Sequence, residues 1–214
     1  MHDALFVRLA GYVSPPRCGA CAAPCDASEG LCPSCEAELA GTLPVLEGEP
    51  PEVELAVAAG EFEGAVRRVA HGLKFGRRVG LAKVAAGAIR TACPPEELRG
   101  AVVPVPAAPW RWRWRGFDPA EEIALALARL CGLPYRPCLR RRQGTRQVGR
   151  PRSRRLEDPP RVWVRGTAPV EALLVDDVRT TGATTTAAAA ALRVAGAGRV
   201  LVVTLAAVEG REGG

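Results

Sequence analysis

Apolar positions along the chain fall into two kinds of run. Short stretches at Val53–Ala58, Ala101–Val105, Tyr135–Leu139, Val162–Val164, Ala172–Val175 and Val200–Leu205 have the length and β-branched content of strands. Segments 62–74, 79–91, 118–130 and 184–195 instead space their apolar residues as helices do. Alternation of the two predicts an α/β fold built on a parallel sheet with helices on its faces. Ala172–Val175 and Val200–Val203 are apolar without interruption, as central strands covered on both sides should be. Such sheets bind ligands at the carboxyl ends of their strands.

The first fifth of the chain has a different texture. Residues 3–13 suit a short amphipathic helix, residues 14–35 are rich in Cys and Pro with no helix or strand period, and Glu36–Leu43 reads as a helix. Three prolines and a glycine in residues 44–51 then supply linker punctuation. The expected division is a module over 1–43, a linker over 44–52 and an α/β domain over 53–214. No apolar run approaches the roughly 20 residues that span a bilayer, so no membrane insertion is expected. The start carries Asp3 where a secretory signal carries bases, which points to the cytoplasm.

Within the module, Cys18-x-x-Cys21 and Cys32-x-x-Cys35 are two knuckles, each able to present two thiolates to one tetrahedral ion. Zinc is the natural occupant, and four ligands close its coordination sphere, so its role would be structural. Cys25 is a bystander or an alternate ligand, while Cys93, Cys131 and Cys138 sit at no ligand spacing.

The most chemically specific segment is Leu173-Leu174-Val175-Asp176-Asp177-Val178-Arg179-Thr180-Thr181-Gly182-Ala183-Thr184-Thr185, a buried strand ending in two carboxylates, then a Thr/Gly loop opening a helix. The hydroxyls of Thr180, Thr181 and Thr184, the tight turn at Gly182 and the N–H groups around Ala183 make a cradle for a phosphate dianion. Asp176 and Asp177 can accept hydrogen bonds from the vicinal hydroxyls of a ribose, or help hold a divalent cation. Phosphate and diol together spell ribose 5-phosphate.

This segment resembles the signature loop of the type I phosphoribosyltransferases, which bind 5-phosphoribosyl 1-diphosphate (PRPP). With a four-Cys module in front, the chain is similar to the ComF family, associated with natural transformation and DNA uptake. Further residues carry the likeness: Glu61-Phe62-Glu63, Leu73-Lys74-Phe75, Val103-Pro104-Val105-Pro106, Arg115-Gly116-Phe117, and the Arg-rich loop from Arg140 to Gln147. The family's Arg-Gly-Phe-Asn-Gln is here Arg115-Gly116-Phe117-Asp118-Pro119. The resemblance implies a doubly wound, mostly parallel sheet and Mg²⁺ accompanying PRPP. It also implies a pyrophosphate loop at Val105, Pro106 and Ala107, and a cation for that pyrophosphate at Lys74. Asp176, Asp177 and Lys74 would be the catalytic set if the protein is a transferase. Other DNA-uptake proteins would be partners. A metabolic phosphoribosyltransferase, moving the 5-phosphoribosyl group from PRPP to a nitrogen nucleophile, is the competing function.

Charge adds a second candidate surface. Residues 139–155 hold eight Arg and no acid, leaving 21 bases against 23 acids elsewhere. The stretch lacks an apolar period and reads as a surface loop that either closes over PRPP or contacts nucleic acid phosphates. Arg140, Arg141, Arg142, Arg146 and Arg150 are the candidates for single-stranded DNA. Trp110–Arg115 alternates indole and guanidinium, and its Trp112 is the candidate stacker.

Overall fold

A computed structural model describes residues 16–25, 30–47, 51–76, 78–108, 116–142 and 160–208. The expected helix at 3–13, the Trp110–Arg115 segment with Trp112, and Arg146 and Arg150 lie outside them.

Among the described residues there are seven strands and five α-helices: β1 (Val45–Glu47), β2 (Leu55–Ala58), β3 (Ala101–Pro104), β4 (Leu139–Arg141), β5 (Val162–Val164), β6 (Glu171–Arg179) and β7 (Arg199–Ala207), with α1 (Pro33–Ala40), α2 (Gly64–Gly76), α3 (Leu81–Ala92), α4 (Pro119–Cys131) and α5 (Ala183–Val194). Five strands form one sheet in the order β1-β2-β7-β6-β3, parallel throughout except for edge strand β1. The period-two pattern of the strands sorts the core. Val57, Val102, Leu173, Val175, Leu201 and Val203 face the buried stripes of α2, α3 and α4. Ala56, Val103, Ala172, Leu174, Val200 and Val202 face α5.

Four expectations change. The linker contributes Val45–Glu47, which pairs antiparallel with β2, because an open sheet edge gains backbone hydrogen bonds from any extended neighbour. Tyr135–Leu139 is not a strand of the main sheet: Tyr135 makes one parallel bridge to Val102, and the strand begins only at Leu139. Finally, Arg140 and Arg141 belong to β4 rather than to a loop. β4 pairs antiparallel with β5, so Val162–Val164 lies in this two-stranded ribbon and not in the parallel sheet.

After α4 the chain returns outside β3, and it then re-enters as β6 on the other side of β3. The carboxyl ends of β3 and β6 therefore flank a topological switch point, the usual place for a ligand crevice. The cysteine module shares the core: Cys18, Leu31, Cys32 and Cys35 belong to the same buried cluster as Val69, Leu73 and Leu81. Arg78 ties it down, donating from Nη1 to the carbonyls of Cys18 (2.9 Å) and Gly19 (2.7 Å). Gly19 lies so close to its neighbours that a Cβ there would stand 2.5 Å from the Leu81 side chain and 2.8 Å from the Gly30 carbonyl. Among the described residues no helix is long and apolar enough to cross a membrane.

Candidate functional site

β6 runs four residues past its apolar stretch Ala172–Val175 and so carries Asp176 and Asp177 to the switch point. Asp176 Oδ1 accepts from the Asp177 N–H (2.8 Å), and Asp177 Oδ1 accepts from the Val178 N–H (2.7 Å). These bonds turn both carboxylates back over the strand end. Burial pushes the Asp176 carboxyl well above the usual carboxylate range, and the Asp177 charge pushes it further.

Lys74, on the last turn of α2, places Nζ 3.2 Å from Asp177 Oδ2. Its side chain is only 19% exposed, so it is not a freely solvated lysine at a helix end. The turn into α5 follows. Gly182 adopts φ +72°, a left-handed conformation that favours glycine. Thr180 and Thr181 are exposed and Thr184 is half-buried. No side chain caps α5, which leaves its first-turn amides to the loop mouth. Thr185 was missed by the sequence reading: it is buried, and its Oγ1 donates to the Gly182 carbonyl (2.7 Å), bracing the turn from below. Only the tertiary burial separates this hydroxyl from the outward ones beside it.

The loop after β3 lies alongside, but its amides are engaged. Val105 donates its N–H to the Val175 carbonyl (2.8 Å), Pro106 has none, and Ala107 donates to Asp118 Oδ2 (2.9 Å). Asp118 also accepts from Ala120 N through Oδ1 (3.1 Å) and caps α4. The departure Asp118-Pro119 thus acts as a clamp between loop and helix. Burial raises the Asp118 carboxyl to about 6, with Asp177 and Glu121 adding to the rise. An anion taking the Ala107 N–H must displace this carboxylate.

In the N-terminal module, Cys18, Cys21, Cys32 and Cys35 bring their sulfurs within 4.8 Å of one another. Cys25 is not in the group. A metal with four sulfur ligands at about 2.3 Å has S···S edges of about 3.8 Å, and Cys21 and Cys32 stand 3.7 Å apart. The set could therefore hold a metal ion. Its thiols are unequal: the Ser34 hydroxyl, 3.2 Å from Cys32 Sγ, helps bring Cys32 down to about 6, whereas burial pushes Cys35 up to about 12. Arg68 Nη2 reaches Cys35 Sγ (3.8 Å) and pairs with Glu38, placing a cation beside the sulfur cluster.

Of the candidate nucleic acid residues, Arg140 and Arg142 are exposed on the ribbon and Arg141 is half-buried. No family model matches the chain, and no curated protein matches it.

Proposed function

We propose that this chain is a PRPP-binding protein of the ComF type, acting in the uptake of single-stranded DNA and carrying a structural zinc in its four-cysteine module. One observation carries the reading: two carboxylates, a lysine, a Thr/Gly turn and an uncapped helix start converge at the switch point of a parallel sheet. The N-terminus of α5 and Thr180, Thr181 and Thr184 suit the 5-phosphate. Asp176 and Asp177 suit the ribose hydroxyls, and Lys74 suits a diphosphate oxygen in exchange for its pairing with Asp177. Mg²⁺ would arrive on the diphosphate and neutralise charge there.

Calorimetry with PRPP and Mg²⁺ tests this. Asp176→Asn/Asp177→Asn and Thr181→Ala should each weaken binding, by about 1.5–3 kcal/mol per lost charge-assisted contact, roughly one to two decades. Unchanged affinity in these variants would refute the assignment. Diphosphate release from PRPP, measured with bases, amines and single-stranded DNA, separates a binding protein from a metabolic phosphoribosyltransferase.

A further inference from the structure

The β4–β5 ribbon has one face inward and one outward. Leu139, Val162 and Val164 pack with the α5 side of the core. The alternate positions, Arg140 and Trp163 on the two strands and Arg142, Arg161 and Arg165 immediately beyond their ends, are all exposed. Arg140 is registered directly across from Trp163, so the two side chains share that outer face. Trp163 leaves 46% of its surface in solvent, although large aromatics mostly serve burial. Residues 132–142 and 160–170 contain no Asp or Glu. Arg140 spends Nη1 on the carbonyls of Pro137 and Leu139, which holds its guanidinium close to the ribbon.

We infer that the outer face of the β4–β5 ribbon is a platform for a single-stranded nucleic acid, with Trp163 stacking on an unpaired base and Arg142, Arg161 and Arg165 holding flanking phosphates. This rests on the DNA-contact part of the reading above and adds residues that the sequence did not single out. Charge complementarity selects a polyanion, since like charges without acids accumulate where a phosphate chain neutralises them. The indole selects among polyanions. A duplex keeps its bases inside the stack and an acidic peptide has no flat ring, whereas an unpaired base offers a face to Trp163.

Fluorescence anisotropy of a labelled oligothymidylate across a salt series tests the platform, with an equal-length duplex and polyglutamate as competitors. Trp163→Ala should weaken binding roughly 5- to 150-fold and leave the salt slope unchanged, while Trp163→Phe should recover most of the loss. Arg161→Gln/Arg165→Gln should flatten the slope of log affinity against log salt by about 1.4. PRPP calorimetry on the same variants reports their folding. Wild-type-like oligonucleotide binding in both variants overturns the inference while the DNA reading stands. Competition by polyglutamate equal to that of the oligonucleotide overturns it as well. Absence of binding by the wild type ends both.

Discussion

Asp118 offers the sharpest test of how the site is assembled. Its carboxyl moves from an ordinary 3.8 to about 6 because it is buried near Asp177 and Glu121, even though it accepts two amide hydrogen bonds. A rise of that size corresponds to about 3 kcal/mol. The sign follows from linkage: the folded protein holds the proton more tightly, so stability is greatest below 3.8 and is lost as pH rises through about 6. At pH 7 almost all of the penalty is in force, and at pH 5 about half of it. Asp118→Asn removes the charge and keeps an oxygen for the Ala120 N–H, because Asn caps helices as well as Asp does. It forfeits the acceptor for Ala107, whose half-exposed amide turns to water at a cost of about 1 kcal/mol. The net expectation is a gain of about 2 kcal/mol at pH 7, or roughly 4–8 °C in Tm, shrinking to roughly 1–2 °C at pH 5. Thermal melts of both proteins from pH 5 to 8 measure it. A variant less stable than wild type at pH 7, or a difference that does not change with pH, would refute the argument.

Two further outcomes are expected. Untagged protein should contain about one zinc per chain, and Cys32→Ser should lose it and destabilise the whole domain, since Cys18, Cys32 and Cys35 share a core with α2 and α3; metal-free protein with an unchanged melt would count against the site. Lys74→Met should leave Asp177 without its cation and weaken PRPP binding by about 10-fold or more in calorimetry, with the loss growing as the ligand's diphosphate is retained rather than removed.

Local patterns were enough to reveal most elements. The apolar runs of β6 and β7 and the helical stripes of α2 to α5 are visible because burial on two faces, or on one stripe, dictates composition residue by residue. The Asp-Asp strand end, the Thr/Gly turn and the paired cysteine knuckles are equally legible, since each is a short contiguous motif whose chemistry needs adjacent residues. What sequence could not supply were relations between distant segments. Whether Val45–Glu47 joins a sheet depends on an open edge at β2, and whether Lys74 serves a site depends on α2 ending beside Asp177. Asp118 was legible only as a departure, and its grip on Ala107 appears once the loop after β3 folds against the start of α4. Trp163 was hidden for the same reason. A Val-Trp-Val run has the pattern of a buried strand, and only the pairing of β5 with β4 outside the main sheet turns its indole to solvent among arginines. Composition records which surfaces are buried on average, whereas long-range pairing decides which side of a short strand meets water.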